Sequence, residues 1–143
     1  MKSHITVLIR NSTKDVDKSL KQILEPHRLD EDNVASIRSH HWDYWYFPNE
    51  PILFDEEFRT SHADSSTEIL ENSSYVRNLP EEYSTSGIIL LDGSWIDLQD
   101  FGWKMLREPS TKNDEAWKKW AIASHRILAE NREQICVQVI LHS

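Results

Sequence analysis

Two apolar runs that alternate with a period of two bracket the chain, and they narrow its folding options more than anything else in the sequence. His4-Ile5-Thr6-Val7-Leu8-Ile9-Arg10 puts Ile5, Val7 and Ile9 on one side, and residues 134–141 do the same with Ile135, Val137, Val139 and Leu141. Such alternation, rich in β-branched side chains, marks strands with a buried face. Each run has a helical pattern beside it. After an Asn11-Ser12-Thr13 turn, where Ser12 and Asp15 form an imperfect capping box, Val16, Leu20, Ile23 and Leu24 recur at helical spacing until Pro26. Before the closing run, residues 112–131 carry a stripe of Trp117, Trp120, Ala121, Ser124, Ile127 and Leu128.

The middle of the chain supplies two more strand patterns. His41-Trp42-Asp43-Tyr44-Trp45-Tyr46-Phe47 is dense in strand-favouring aromatics and stops at Pro48. Gly87-Ile88-Ile89-Leu90-Leu91 runs through Asp92-Gly93 into Ser94-Trp95-Ile96-Asp97, a hairpin signal that predicts a type I′ turn. The order is strand, helix, strand, long connector, strand, helix, strand. Its economical solution is an α+β ferredoxin-like βαββαβ sandwich, a four-stranded antiparallel sheet with two helices on one face and the first and last strands adjacent. The length of 143 residues suits one domain over 1–143, with an acidic insertion at about 48–84.

Charge singles out that insertion. The net formal charge is −8, and between Glu50 and Glu82 nine acids face only two bases. A surface of that sign repels phosphate backbones and attracts a basic partner or a cation. No apolar run approaches the ~20 residues of a membrane span, and the start of the chain has no signal-peptide pattern. One cysteine, Cys136, excludes an internal disulfide and a cysteine zinc cage, and its place inside a strand marks it as a packing residue. The expectation is a cytoplasmic protein without a membrane partner. Three glycines form neither a phosphate loop nor a dinucleotide fingerprint, and no nucleophile elbow is present, so no cofactor is expected.

In a strand, His41 and Asp43 would project to the same side ~7 Å apart, a spacing from which both reach one metal ion or one proton-transfer centre. A metal needs further ligands, which His62, Asp55 or Glu56 would supply by folding back. A His–Asp pair that only orders the strand is the competing reading. Trp42, Tyr44, Tyr46 and Trp95 would form an aromatic platform, but acidic surroundings and the lack of a basic RNA-binding motif argue against nucleic acid.

Ser39-His40-His41-Trp42-Asp43-Tyr44-Trp45, Val76-Arg77-Asn78-Leu79-Pro80, Leu91-Asp92-Gly93-Ser94-Trp95 and Phe101-Gly102-Trp103 resemble a group of small bacterial and phage proteins of no established function. Those share a His-Trp-Asp-aromatic strand, a Leu-Pro step and an Asp-Gly-x-Trp hairpin. The chain departs from the group after Tyr46, with Phe47-Pro48-Asn49-Glu50-Pro51 where the group continues Gly-Gly-Arg-Trp. The resemblance implies a single domain and no particular chemistry.

Two functional expectations follow. The first is a non-enzymatic acidic protein-binding module, of inhibitor, immunity or anti-defence type. Glu56, Glu57, Asp64, Glu81 and Glu82 would supply charge toward a basic protein surface, with Tyr44 and Tyr46 as anchors. The alternative is a metal-dependent hydrolase or nuclease-like enzyme that uses His41 and Asp43, with His62 as a further ligand. A homo-oligomer formed through the outer sheet face or edge is a third arrangement.

Overall fold

The computed structural model describes residues 2–29, 40–49, 53–106 and 108–143. Its centre is a ladder of β1 (Lys2–Ile9) and β6 (Ile135–His142), antiparallel and paired at every position from Lys2↔His142 to Ile9↔Ile135. The first and last strands are therefore adjacent, as the sequence reading has it. The rest of the sheet differs. β4 (Gly87–Ile89) runs parallel to β1, and β5 (Trp95–Asp97) adds antiparallel to β4. The outer edge of β6 takes two short strands, β2 (Tyr44–Tyr46) at one end and β3 (Ser73–Tyr75) at the other. The result is a six-stranded mixed sheet in an α+β fold, so the four-stranded antiparallel ferredoxin-like sheet is corrected.

The physical reason lies on the second face of the ladder. Ile5, Val7, Ile9, Ile135, Val137, Val139 and Leu141 bury one face, together with α1 (Val16–Leu24) through Val16, Leu20 and Leu24. Leu8, Ile88 and Cys136 bury the other, against Ala116 and Trp120 of α4 (Thr111–Glu130). Both faces of the central strands are closed, so the two long helices lie in different clusters and one-sided packing is not available. Polar residues on the second face are satisfied internally. Thr6 Oγ1 and the Tyr83 hydroxyl are 2.6 Å apart, and Gln138 is held by His4 (2.9 Å) and Asn72 (3.0 Å). Read in sequence, Thr6 and Gln138 look solvent-facing; in the fold both are fully buried.

The acidic connector is part of this core. It forms α2 (Glu56–Ser61), α3 (Thr67–Asn72) and β3, followed by a 3-10 turn at Val76–Asn78. Phe58 and Ile69 are fully buried among the residues of the first face. Asp55 is buried too. Burial alone would raise its pKa, but the Phe58 and Tyr75 N–H groups and the Asn78 and Ser74 side chains outweigh it and hold the carboxyl below its ordinary range. Glu57 pairs with Arg77. Glu56, Asp64, Glu81 and Glu82 remain exposed.

The hairpin forms with a different turn. The Gly93 N–H donates to the Leu90 carbonyl at 2.9 Å, the Leu90 N–H donates to Ser94, and only Gly93 of the pair has a positive φ, +87°. That is a three-residue loop ending in a left-handed glycine, so Asp92 is free to accept from the Ser94 N–H and hydroxyl. Gly87 is needed for close approach. A Cβ there would sit 2.6 Å from Ile5 Cδ1 and 2.9 Å from Asp97 Cβ, so even alanine would force these neighbours to shift.

If the connector is core, then Phe58→Ala should cost about 3–5 kcal/mol in urea unfolding, the usual loss for a buried aromatic. A loss under about 1 kcal/mol would place residues 53–78 outside the cooperative unit.

Candidate functional site

The aromatic segment crosses one end of the fold instead of running as a seven-residue strand. Only Tyr44–Tyr46 is strand. Trp42 turns inward, buried in the first-face cluster, and its indole N–H donates to the Leu24 carbonyl at the end of α1 at 2.8 Å. Its backbone is tied to the 3-10 turn Glu25–His27 by Trp42 N–H to His27 O (3.0 Å) and by Leu29 N–H to Trp42 O (2.7 Å). Trp42 thus works as a pivot. His40, before it, reaches the β5 edge of the sheet, and Tyr44–Tyr46, after it, form the β2 edge.

On the β5 side, His40 adopts φ +71°, the only positive value for a non-glycine among the described residues. That left-handed turn aims its ring at the hairpin. His40 Nε2 donates to Asp100 Oδ2 at 3.0 Å and lies 3.5 Å from Asp97 Oδ2. The imidazole packs on Trp95 at 5.4 Å between ring centroids, and His27 meets Trp95 edge-on at the same distance while its Nε2 donates to Gly93 O at 2.7 Å. The two carboxylates are fixed by a reciprocal cap on the 3-10 turn Leu98–Phe101. Asp97 accepts from the Gln99 N–H at 2.9 Å, and Asp100 accepts from the Asp97 N–H at 2.8 Å. One potential ligand atom from each of His40, Asp97 and Asp100 lies within 4.8 Å of the others.

The electrostatics of this group are unbalanced. Burial pushes the Asp97 carboxyl above the ordinary carboxylate range; His40 opposes the shift and the neighbouring Asp100 adds to it. Among the described residues no lysine or arginine nitrogen lies within ion-pair distance of either carboxylate. Asp97 also lines a cavity of about 190 Å³ whose walls include Trp103, Trp117, Lys2 and Gln99.

On the β2 side, Asp43 finds a partner 99 residues away. His142 Nδ1 donates to Asp43 Oδ1 at 2.7 Å, and this bond, more than anything else, lowers the Asp43 pKa. Tyr44 stacks on His142 at 4.4 Å and Tyr46 lies beyond it at 6.2 Å. Strand pairing of Tyr44 with His142 dictates this placement, and sequence spacing gives no hint of it.

The sequence-predicted residues therefore scatter. His41 lies outside β2, so the period-two argument that would join it to Asp43 has no strand to act in. His62 stacks on Phe58 at 4.3 Å, and its two ring nitrogens face the Phe58 and Thr13 carbonyls, which leaves the ring occupied in holding α2 to the loop before α1. Trp42 is core and Trp95 sits on the opposite edge strand from Tyr44 and Tyr46, so the four-ring platform does not form. His40, Asp97 and Asp100 were not singled out by spacing. The sequence marks them only by position: His40 stands two residues before Trp42 and Asp97 two residues after Trp95, and nothing in it marks Asp100. No protein-family model, curated protein or solved structure matches the chain.

The raised pKa of Asp97 has a definite sign. Its ionised form is disfavoured in the fold, so its contribution to stability is full below the unfolded carboxylate pKa of ~3.9 and is lost as pH rises through the higher folded value. Asp97→Asn, which keeps an acceptor for the Gln99 N–H, should therefore gain on the wild type between pH 3.5 and 7 in a chelator-containing buffer. Urea midpoints at the two pH values measure it, and a variant that loses ground over that interval contradicts the assignment.

Proposed function

We propose that the protein binds a divalent transition-metal ion between His40, Asp97 and Asp100 and uses it for metal-dependent hydrolysis. The observation that supports this reading is the convergence of one imidazole and two carboxylates, from two distant chain segments, with no lysine or arginine in ion-pair contact with them among the described residues. Ligands about 2.1 Å from a metal lie at most ~4.2 Å apart, so a small rotation of one carboxylate closes the group on an ion. The imidazole favours Zn²⁺ over Mg²⁺ or Ca²⁺, and the two carboxylates also suit Mn²⁺. Held by His40, Asp97 and Asp100, such an ion would supply Lewis-acid activation of water beside the cavity that Asp97 lines. The alternative first drawn from sequence, with His41, Asp43 and His62, is replaced in this reading by residues that already face one another.

A second reading, the acidic protein-binding module, keeps support from Glu56, Asp64, Glu81 and Glu82, which stay exposed, and from Tyr44, 46% exposed at the sheet edge. It has fewer charges to work with than the sequence suggests, because Glu57 is paired with Arg77 and Asp55 is interior.

Isothermal titration of the chelator-stripped protein with Mn²⁺ and Zn²⁺ tests the first reading. One ion per chain is expected, with affinity at least tenfold lower in Asp100→Asn and lower in acid, because all three ligands must shed their protons. Equal binding by wild type and variant, or no binding at millimolar metal, would overturn it. Charge reversal at Glu81 and Glu82 should leave the titration unchanged.

A further inference from the structure

A second cavity lies away from the His40 group, and its chemistry runs against the net charge of the chain. It has a volume of about 270 Å³ and sits between the 3-10 turn Val76–Asn78, the loop that follows it and the last turns of α4. Val76, Leu79 and Leu128 give it an apolar floor, and Tyr83 closes the inner end. The Tyr83 hydroxyl is committed to Thr6, and burial raises its pKa, so the ring offers a neutral aromatic wall. Arg77, Arg132 and His125 line the mouth, with Glu81 as the one carboxylate among the lining residues.

The two arginines differ in their commitments. Arg77 is held by Glu57 and by Glu133 at 3.4 Å and lies over the Tyr75 ring at 4.6 Å. Arg132 is exposed and has no ion-pair partner among the described residues, while its backbone carbonyl accepts the Arg77 N–H at 3.0 Å. Arg132 follows the C-terminal end of α4, where positive charge is favoured, and its guanidinium makes no ion pair among the described residues in a protein of net charge −8. The guanidinium fork matches carboxylate and phosphate oxygens in two-point contact. A recess of this size falls between the ~150 Å³ that admits benzene and the ~300 Å³ at the lower end of drug-sized clefts.

We infer that this cavity binds a small organic anion, a single ring or short chain whose apolar body rests on Val76, Leu79 and Leu128 and whose acidic head meets Arg132. The site is independent of the proposed metal centre. Charge selects the head group, and the recess selects the body. Inorganic anions, having no body, gain only the first of these contributions.

Titration of the protein with phenylacetate, with 2-phenylethanol as its neutral counterpart and with acetate as a head group alone, tests the inference by chemical-shift perturbation. Phenylacetate should shift the amides of residues 76–79 and 128–132 and bind at least tenfold more tightly than either comparison compound. Binding should weaken with added salt and fall at least fivefold in Arg132→Gln, an exposed substitution that leaves the apolar floor intact. If phenylethanol binds equally well the site is not an anion site. If acetate matches phenylacetate, or no shift appears at 10-fold millimolar excess, the cavity binds no such ligand.

Discussion

Everything in this fold depends on the β1–β6 ladder being closed on both faces. A strand pair with one wet face could have been served by two helices on the dry side. Here Leu8, Ile88 and Cys136 need cover as much as Val7 and Val137 do, and α4 supplies it through Ala116 and Trp120 while α1 serves the opposite side. The cover on the first face is still incomplete with α1 alone, and the connector completes it with Phe58 and Ile69. Fully burying side chains of that size contributes ~1.5–3 kcal/mol each, which outweighs the weak preference of an acidic segment for open solvent. The carboxylates sort accordingly, with Asp55 taken inside on four hydrogen-bonding groups and Glu56, Asp64, Glu81 and Glu82 left outside.

The same constraint shapes the candidate site. With β1 and β6 at the centre, β4 and β5 extend the sheet on one side and β2 on the other, so the aromatic segment has to span the sheet end to reach both. Trp42 fixes that crossing by filling the core and donating its indole N–H to the Leu24 carbonyl at the end of α1. His40 then falls beside Asp97 and Asp100, and Asp43 beside His142. Gly87, paired with Asp97 across β4 and β5, leaves room for the Asp97 and Ile5 side chains that a Cβ would crowd. The cost of burying Asp97 is visible in its raised pKa, and a bound cation would offset it.

The elements that were legible in the sequence were those whose partners need not be known. β1, α1, α4 and β6 follow from periodicity, and the Asp92-Gly93 hairpin from turn chemistry. What was illegible depended on contacts between distant residues. Thr6 and Gln138 lie on the side of their strands opposite the alternating apolar residues, yet both are buried and bonded to Tyr83, His4 and Asn72. Of the stripe read on α4, Trp120 is buried and Ile127 and Leu128 pack against the same cluster, while Trp117 is 45% exposed and Ala116 takes the other buried position. Asp43 was chosen for its spacing from His41, but a cross-strand neighbour, His142, claimed it. Charge counting placed the connector outside because it weighs carboxylates and ignores the few apolar anchors, Phe58 and Ile69, that decide where a segment goes.

The most direct measurement is anomalous diffraction from crystals grown with Mn²⁺. A single manganese peak is expected ~2.1–2.3 Å from His40 Nε2 and from one oxygen each of Asp97 and Asp100, with the His40–Asp100 hydrogen bond replaced by shared coordination. A peak on other ligands, or an unaltered His40–Asp100 contact at millimolar Mn²⁺, would contradict it.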